Sequence, residues 1–557
     1  MARIKVLALS YLFPNKENPG YGIFVFNRLR AVKEHCDVKV IAPIQWFPFL
    51  AKYRPASSCK NVRSFETFRG VDVFYPRFLS VPKIFKWLDA ITYFLSVIPA
   101  VLHLKYKEKF NFDVIDVHWT YPDILAGYLL SRIFKKKFLV TIRGEEALYH
   151  DETSLRKYIL HRLLQKADGV ICLSSELQRL VQQIGVKKEL THVIHNGVDP
   201  EYFYYSDKNE ARKILNLPED KKILLSVGSL IRRKGHHVLI EQMPELSKMG
   251  DIQLYIVGGV NPEGDFSREL QRLVADLKLE NVHFVDAIKH QDLRLWYAAA
   301  DLFCLATSGE GCPNVVLEAM ACGCPVVVSN VGAVEDIVKE SDDGIIVQLD
   351  EWDWQSKINH ALKSSWQRQD IAARMESMDW SQCADKVISL YQTIMHANIS
   401  QKNRVDKKHK NQIEKTHKII YHHRTLGDGA EGIHIREMVS AFRSLGHTVK
   451  VIGPAGESPP EDSGPSRLSR IKAVLPGFVF ELCEIGYSGY VFLQLSWLIL
   501  KEKPDFIYDR YITFNVGCVV AAKLLNVPLF LEVNAPLALE RCEQPEEKLY
   551  LKKIAVA

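Results

Sequence analysis

The residues best suited to chemistry in this sequence lie in one short string that begins at Glu310 and ends at Glu318. The string reads Glu-Gly-Cys-Pro-Asn-Val-Val-Leu-Glu and follows an apolar run typical of a buried strand. A loop that opens a helix presents free backbone N–H groups and the positive end of the helix dipole to an anion. About two helical turns separate the two carboxylates, which can therefore lie near one face. Either they bind one ligand together or they are unrelated surface glutamates.

Cys322-Gly-Cys324, just beyond this string, could suggest a metal site. Two thiolates at this spacing, next to a predicted buried strand, fall short of the four ligands of a structural zinc site. No two aspartates in the chain are separated by a single residue, and carboxylates are the ligands that would help to hold Mg²⁺ or Mn²⁺ on a diphosphate. The sequence therefore predicts no metal site and assigns both cysteines to packing.

Elements that could position these residues appear as short β-branched runs that alternate with amphipathic segments. The first series of predicted strands is Ile4–Ala8, Val38–Ala42, Val114–Val117, Phe138–Thr141 and Val170–Leu173, and the second is Ile223–Val227, Gln253–Val257, Val282–Val285, Leu302–Leu305, Pro325–Val328 and Ile345–Val347. Such alternation predicts an α/β fold, and two series predict two Rossmann-like doubly wound domains. Because ligands bind beyond the carboxyl ends of parallel strands, we expect the site in a cleft between the domains.

The polar segment 398–417, rich in Lys, Asn and Gln, predicts a linker. After it the pattern restarts, with predicted strands at 418–421, 448–452 and 529–533, a glycine turn at 429–432 and a helix at 433–445. The stretch Asp113–His118 resembles Asp505–Arg510, and each is followed by an Ala/Leu-rich helix and another strand. This internal repeat predicts a third, partial Rossmann-like domain.

The composition is that of a globular protein, with 47% hydrophobic and 25% charged residues over 557 positions. A net charge of +6 is small for this length and does not favour binding of nucleic acid. The first apolar run, before Pro14, is too short for a signal peptide, so we expect a cytoplasmic chain with reduced cysteines. The apolar stretch 90–104 contains a proline and 474–500 contains two glutamates, so neither predicts a transmembrane helix.

The string from Glu310 to Glu318 closely resembles the signature of family 4 glycosyltransferases, in which seven residues separate two glutamates. These enzymes have the GT-B fold. Further segments resemble parts of the same family in the same order: the loop after the first strand of the donor domain (Ser226–Gly235), the helix before its fourth strand (Leu295–Asp301) and the interdomain hinge (Val193–Asp199). The resemblance covers residues 1 to about 398. It implies a retaining, metal-independent transfer of a hexose-type sugar from a UDP- or GDP-linked donor, with no cofactor.

The resemblance also implies domain boundaries: an acceptor-side domain (1–195), a nucleotide-sugar donor domain (196–378), a helix that packs back on the first domain (379–397), the linker, and a truncated second domain (418–557). Residues 422–436 and 531–536 within the last segment resemble the N-terminal, acceptor-side domain of a different branch of the family. No second glutamate string of this kind follows. We therefore expect 418–557 to be catalytically silent alone.

By resemblance, different residues of the string would bind different parts of the nucleotide-sugar donor. By resemblance, the ribose hydroxyls bind Glu318, the diphosphate binds backbone amides, and the sugar binds Glu310 together with further amides. The amides expected at the diphosphate are those of Asn314, Val315 and Val316, and those expected at the sugar are those of Gly311, Cys312 and Pro313.

A cation in the preceding loop completes the donor site by resemblance. Lys234 would neutralise the departing diphosphate, on which negative charge develops as the bond breaks. Many family members have an arginine where this chain has Ser229. Three alternatives remain: Arg233 or Arg232 supplies the missing cation, Lys234 acts alone, or the two arginines are a solvated loop face.

Residues of the N-terminal half resemble the other side of the family's cleft. Gly20 and Gly22 resemble a glycine loop that abuts the donor phosphate, although a plain turn would use the same residues. His118 ends a predicted strand where members place a catalytic histidine near the sugar; alone, such a histidine is more often structural. Arg143 and Glu146 end the next strand, where many relatives have His-Gly-x-Asp. They are candidate acceptor ligands, with a structural ion pair as the alternative for Arg143.

Two N-terminal segments, 46–50 and 71–78, resemble a branch that includes teichuronic-acid-type transferases of cell-envelope polysaccharide. This implies a polysaccharide or lipid-linked acceptor at the inner membrane face. The apolar segment 84–104, with lysines at 83, 86 and 105, would dock on an anionic membrane surface. The alternative is an ordinary helix of the N-terminal domain.

Other functions remain open on the same architecture: a nucleotide-sugar epimerase, a phosphorylase or a non-catalytic sugar-binding scaffold. A phosphorylase of the glycogen type needs a pyridoxal lysine, for which the sequence has no convincing context. The joint presence of Glu310, Glu318 and Lys234 argues against a scaffold. Because fold alone does not separate these functions, the site must do so.

Overall fold

A computed structural model of the chain describes residues 3–47, 62–81, 86–144, 148, 155–260, 264–350, 353–405, 416–423, 429–453, 477–510 and 516–532. The chain forms two compact units, one of residues 1–131 and 136–400 and the other of 132–135 and 401–557. The first unit contains two large sheets, and the second contains one smaller sheet.

Strands of the N-terminal domain are β1 (Lys5–Leu9), β2 (Asp37–Ile41), β3 (Ile44–Trp46), β4 (Phe65–Phe68), β5 (Val71–Phe74), β6 (Arg77–Leu79), β7 (Val114–Val117), β8 (Lys137–Ile142), β9 (Gly169–Cys172) and β10 (Thr191–Val193). Eight of them form a sheet in the order β10-β9-β8-β7-β1-β2-β5-β4, in which only β4 and β5 pair antiparallel. Its helices are α1 (Ile23–His35), α2 (Asp89–Leu102), α3 (Asp123–Phe134), α4 (Leu155–Leu164) and α5 (Ser175–Gln183). Every residue of β7 is buried, as expected where helices cover both faces of a parallel sheet.

The donor-side domain has six parallel strands: β11 (Lys222–Val227), β12 (Ile252–Val257), β13 (Val282–Val285), β14 (Leu302–Leu305), β15 (Val326–Ser329) and β16 (Gly344–Val347). Their order is β13-β12-β11-β14-β15-β16. The helices are α6 (Lys208–Leu215), α7 (His236–Leu246), α8 (Ser267–Asp276), α9 (Leu293–Ala299), α10 (Asn314–Ala321), α11 (Val334–Ile337), α12 (Trp354–Lys363) and α13 (Arg368–Met375). Two doubly wound parallel sheets confirm the predicted fold class.

Helix α14 (Trp380–Val405) follows the second sheet but joins the core of the first domain. Its buried side chains in that core are Trp380, Cys383, Ala384, Val387, Leu390, Tyr391 and Ile394. The chain crosses itself just before this helix, where a Cβ on Gly197 would lie 2.5 Å from the backbone of Asp379. The helix also extends into the segment predicted as a linker, whose Gln, Lys and Arg residues are good helix formers.

One helical stretch is longer than the apolar segment 90–104 of the sequence. Residues Lys86–Lys107 form a continuous helix of 22 residues, made of α2 with a 3₁₀ turn before it and a π turn after it. Pro99 does not interrupt it, because a proline removes one main-chain hydrogen bond while the neighbouring turns keep theirs. Among the described residues this helix alone is long and apolar enough to cross a membrane, with a mean hydropathy of 1.5, and 39% of that stretch is buried.

The second unit contains four parallel strands, β17 (Lys418–His422), β18 (Thr448–Ile452), β19 (Phe506–Arg510) and β20 (Leu529–Glu532). Their order, β18-β17-β19-β20, repeats the order β2-β1-β7-β8 of the first domain. The described helices are α15 (Gly429–Ser444), α16 (Gly477–Glu502) and α17 (Gly517–Leu525). The glycines predicted to form a turn at 429–432 instead lie in the first turn of α15, which begins at Gly429.

Contacts at equivalent positions extend this repeat to individual atoms. In the first domain, the Asp113 carboxylate accepts the Lys5 amide at 2.9 Å. In the second unit, the Asp505 carboxylate accepts the Lys418 amide at 2.8 Å. Both aspartates come just before the strand that pairs with the first strand of their sheet.

An ion pair repeats in the same way. Lys39 in β2 lies 3.0 Å from Glu108, and Lys450 in β18 lies 2.6 Å from Glu502. Each glutamate belongs to a Lys-Glu-Lys sequence, and the lysine after it adopts a left-handed conformation, with φ of 53° and 49°. The two domains therefore share detailed connections as well as strand order.

Candidate active site

The loop after β11 places a cation beside the loop after β14. Gly235 makes this approach possible, because a Cβ there would lie 1.7 Å from the carbonyl oxygen of Ala306. Its φ of 74° is also a conformation that favours glycine. The side chain of Lys234 consequently lies directly against the Glu310 loop.

Glu310 is the centre of a compact set of contacts. The Lys234 ammonium donates to its Oε1 at 2.5 Å, and Arg233 Nη1 lies 3.4 Å from the same oxygen. Arg233 also donates to the Gly309 carbonyl at 2.7 Å, and the Thr307 hydroxyl lies 3.3 Å from Glu310 Oε1. Two cations therefore surround one carboxylate, which leaves a local excess of positive charge for a phosphate.

Glu318 is held by a separate pair of residues. The carboxylate is buried on α10; its Oε1 lies 2.8 Å from His290 Nε2, and its Oε2 accepts the Tyr297 hydroxyl at 3.1 Å. Burial alone would lower the pKa of His290, but the hydrogen bond and charge of Glu318 outweigh it and raise the pKa. Glu310 and Glu318 thus have different partners and do not act as a carboxylate pair.

The start of α10 provides the expected amides. Pro313 is its N-cap residue, and the amides of Asn314 and Val315 belong to the first turn, where N–H groups have no acceptor within a helix. The Val316 amide is placed differently, because it donates to the Pro313 carbonyl at 3.0 Å. Of the three amides predicted at the diphosphate, the first two are the better donors for a ligand.

Cysteines near the loop are buried and protonated. Burial raises the pKa of Cys312 to about 12 and that of Cys324 to about 11. Cys322 is also buried, and burial raises the pKa of its thiol as well. Neutral thiols are poor nucleophiles and poor metal ligands. In the described part of the chain, no three His, Cys, Asp or Glu residues are grouped so that they could hold a metal ion.

Gly22 lies at the start of α1 in a left-handed conformation, with φ of 67°. A Cβ there would lie 2.5 Å from the Leu12 carbonyl, so the loop requires glycine at this position. The expected glycine loop thus leads into the first helix of the N-terminal domain.

His118 lies at the base of the cleft and is fully buried. Its Nε2 lies 3.0 Å from Asp116 Oδ2, and Arg143 Nη2 lies 3.0 Å from its Nδ1. Asp116 also accepts the Tyr391 hydroxyl from α14 at 2.5 Å. Burial lowers the pKa of His118 and outweighs the opposing effect of Asp116. Because the ring is fully buried between these two side chains, its predicted contact with a sugar requires a rearrangement.

Arg143 connects this cluster to the donor domain. Its Nη1 lies 3.4 Å from Asn196 Oδ1, and the Asn196 amide donates to Asn314 Oδ1 at 2.9 Å. Arg28, also fully buried, lies 3.5 Å from the same Asn196 oxygen. A continuous set of polar contacts therefore runs from the N-terminal sheet through the hinge to the start of α10.

The same cluster has an excess of positive charge. Arg28 and Arg143 accompany the single carboxylate of Asp116, and burial, reinforced by Arg28, lowers the pKa of Arg143. An anion in the cleft would stabilise these guanidinium groups. Arg143 is buried and faces the hinge, which suits a phosphate at the base of the cleft. Glu146, the other predicted acceptor residue, lies outside the described residues.

A second interdomain contact lies at α5. The Ser175 amide donates to Asp336 at 2.6 Å, and the Gly332 amide donates to Glu176 at 2.8 Å. These two bonds run in opposite directions between the domains. Together with the Asn196–Asn314 bond, they hold the two sides of the cleft against each other.

Gly311 lies directly against the backbone of the N-terminal domain and gives a test of this contact. A Cβ there would lie 1.7 Å from the Arg143 carbonyl oxygen. We expect Gly311→Ala to lower kcat about a hundredfold, because a displacement of about 1 Å misaligns the reacting groups. Gly309→Ala is a matched control, since a Cβ there meets nothing within 4 Å. Equal kcat values for the two variants, measured with a transferable donor, would contradict this closed arrangement.

Several residues of this site carry no motif of their own. Asp116 could have been suspected, since it stands two positions before His118 and so shares its face of the strand. Asn196 and Tyr297 lie in two segments that resemble the family, the hinge and the helix before the fourth strand, but neither was predicted as a site residue, and His290 lies in no motif. They are recognised only because folding brings them to Arg143 and Glu318.

Comparisons with known proteins agree with this architecture. Residues 20–202 match the model of Glycosyltransferase Family 4, and residues 207–378 match the model of Glycosyl transferases group 1. The chain is 26% identical over 361 residues to the uncharacterized glycosyltransferase MJ1607 of Methanocaldococcus jannaschii, covering 60% of this chain and 88% of that protein. It is 25% identical over 340 residues to the putative teichuronic acid biosynthesis glycosyltransferase TuaC of Bacillus subtilis, covering 60% of this chain and 83% of that protein.

Similarity of fold extends to a solved structure. Anabaena Alr3699/HepE in complex with UDP and glucose has a TM-score of 0.54 and 18% identity, covering 70% of this chain and 100% of that chain. The fold and the two matched segments define a glycosyltransferase of the GT-B class. Residues 20–378 of this chain belong to that class.

Proposed function

We propose that residues 1–398 transfer a hexose-type sugar from a UDP- or GDP-linked donor with retention of configuration and without a metal or other cofactor. The observation that carries this proposal is the placement of Lys234 and Arg233 around Glu310, beside the loop that opens α10. Fixed cations and helix amides at one place suit a diphosphate that gains charge as it leaves. The complexes of Alr3699/HepE with UDP and with UDP-glucose support this class of donor.

Each part of the donor has a place in this proposal. Glu318 accepts the ribose hydroxyls, and the first-turn amides of α10 hold the diphosphate. Glu310 and the loop that follows it hold the sugar against the N-terminal domain. Lys234, aided by Arg233, neutralises the diphosphate as the bond breaks.

Retention follows from reaction on one face of the sugar. The donor phosphate accepts the proton of the acceptor hydroxyl while the bond from the anomeric carbon to the phosphate oxygen breaks. The new glycosidic bond forms on the same face, so the protein needs no nucleophile of its own. Positioning and electrostatic stabilisation are its contributions. His118 remains a predicted catalytic residue, and its burial with Asp116 and Arg143 favours a positioning role.

We further propose that the acceptor is a cell-envelope polysaccharide or a lipid-linked precursor. The name of TuaC supports this acceptor class. A precursor of this kind would place the protein in the cytoplasm, at the inner membrane face. The buried guanidinium of Arg143 at the base of the cleft suits a phosphate or carboxylate on such an acceptor.

Transfer assays with a panel of UDP- and GDP-sugars test the function. We expect one donor to be hydrolysed or transferred at the same rate in EDTA as in buffer containing Mg²⁺, because Lys234 and Arg233 supply the charge that a metal would supply elsewhere. Analysis of the product by NMR should show the anomeric configuration of the donor. Loss of activity in EDTA would contradict the metal-free mechanism, and a product of inverted anomeric configuration would contradict retention.

The alternatives are a nucleotide-sugar epimerase and a non-catalytic sugar-binding scaffold. An epimerase would convert the nucleotide sugar without any acceptor and release no nucleoside diphosphate. A scaffold would bind donor and release nothing. Measuring released diphosphate separates all three functions.

The second unit is proposed to be an acceptor-side domain of the same class. Its strand order and its equivalent ion pair support this origin. No donor loop like that at Glu310 occurs in residues 418–557, so this segment should be catalytically silent alone.

A further inference from the structure

The helix Lys86–Lys107 presents an apolar face to solvent in the first unit. Trp87, Ile91, Leu95 and Leu102 are between 41% and 57% exposed, although similar residues elsewhere in the chain are core. Their spacing of four, four and seven residues places them on one side of the helix. Soluble proteins rarely expose so continuous an apolar surface unless it binds something.

The second unit presents a comparable face on α16. Tyr490, Leu493, Trp497 and Leu500 are between 56% and 66% exposed. Their spacing of three, four and three residues again places them on one side. The opposite side of α16, with Val491 and Leu495, is part of the core of this unit.

The two helices occupy the same place in the repeated fold. Each precedes the strand that pairs with the first strand of its sheet, and each ends in Lys-Glu-Lys. Their buried residues coincide when these endings are aligned, for example Val97 with Val491 and Leu104 with Leu498. In the same alignment, most exposed apolar residues of one helix do not stand opposite an exposed apolar residue of the other. What the two copies share is therefore an apolar outward face and not a particular set of side chains.

Lysines at the ends of both helices indicate what covers these faces. Lys107 and Lys109 are exposed at the end of the first helix, and Lys501 and Lys503 at the end of the second. Lys501 also lies 4.8 Å from the ring centre of Trp497, so its stem follows the apolar face while its charge stays at the end. An apolar stripe with aromatic residues and terminal lysines suits the boundary of an anionic bilayer.

We propose that α16 is a second membrane-contacting surface, equivalent in position to the one on Lys86–Lys107, and that the second unit binds an anionic bilayer surface through it. This assigns a binding role to a unit that has no donor loop of its own. The inference does not rest on sugar transfer, because an inactive protein would still bind the bilayer.

Vesicle flotation of the full chain tests this proposal. The variant Leu493→Ser/Trp497→Ser/Leu500→Ser should bind phosphatidylglycerol-containing vesicles about tenfold or more weakly than the unchanged chain, since three inserted apolar side chains are lost. Ile91→Ser/Leu95→Ser/Leu102→Ser should have a similar effect, and the combined variant should bind more weakly than either. Ile214→Ser/Met249→Ser is the matched control, because both side chains are exposed on the donor-side domain.

Certain outcomes would overturn the proposal. Unchanged flotation of the α16 variant would do so, as would equal binding to vesicles of phosphatidylcholine alone. Light scattering that shows the unchanged chain as a dimer and the α16 variant as a monomer, with equal lipid binding, would assign the face to a second copy instead. Should the triple variant fail to fold by circular dichroism, Leu493→Ser alone must show a smaller loss of binding in the same direction.

Discussion

Lys234→Ala should lower kcat about a hundredfold or more while KM for the nucleotide sugar changes little. The ammonium lies 2.5 Å from Glu310, at the proposed position of the diphosphate, which gains charge as its bond to the sugar breaks. Before bond cleavage that charge is smaller, so the lysine stabilises the transition state more than the bound donor. Steady-state kinetics with the preferred donor, together with calorimetry of nucleotide binding, would measure both quantities.

Arg232 provides the matched control for this experiment. It belongs to the same three-residue turn as Lys234, but its guanidinium lies over the Phe266 ring at 5.9 Å and not against Glu310. Arg232→Ala should therefore leave kcat nearly unchanged. Lys234→Arg should recover part of the loss, because it restores the charge in a different geometry. A rise in KM with an unchanged kcat for Lys234→Ala would show that the lysine only binds the donor.

The strands of both large sheets could be predicted from sequence because they are apolar along their whole length. Val114–Val117 and Leu302–Leu305 match the observed β7 and β14 residue for residue, and all positions of both are buried. Periodicity was not needed there, since a continuous apolar run between polar turns is sufficient. Val282–Val285 also matches β13 residue for residue, and the other predicted strands of these sheets differ by one residue at one or both ends, where polar residues such as Lys137 begin a strand.

Strands β3 to β6 and β10 were not predicted, for a physical reason. They are three or four residues long, and β4 alternates exposed and buried residues at the edge of the sheet. Such short elements are stabilised by their neighbours more than by their own sequence. The antiparallel pairing of β4 with β5 likewise depends on the tertiary structure.

The residues of the site, like the strands, include some that could be predicted from the sequence and some that could not. The donor loop could be recognised because its residues are contiguous, and Gly311 and Glu318 carry their signal in the string itself. The partners of these residues are far away in sequence: His290 reaches Glu318 from another helix, and Asn196 reaches Asn314 from the hinge. A single sequence does not contain the information that pairs them. The structure also separates the two glutamates, since each has its own partners.

Glu318→Gln should weaken the binding of UDP or GDP by about 1.5 to 3 kcal/mol, about tenfold to a hundredfold. Glutamine keeps the shape of the side chain but loses the charge that is proposed to accept the ribose hydroxyls and that holds His290 and Tyr297. The same change should lower the pKa of His290, because Glu318 raises it while burial alone would lower it. Calorimetry would measure the affinity, and an NMR titration of the His290 ring would measure the pKa.

These two readouts separate a ligand contact from an internal ion pair. Glu280→Gln, an exposed glutamate of the same domain, is the control and should change neither quantity. A lower His290 pKa with unchanged nucleotide affinity would mean that Glu318 only orders its own neighbours. A loss of affinity beyond that of His290→Gln would instead require a direct contact with the nucleotide, because both variants remove the ion pair and only one removes the carboxylate. The ribose role of Glu318 thus depends on the difference between the two variants.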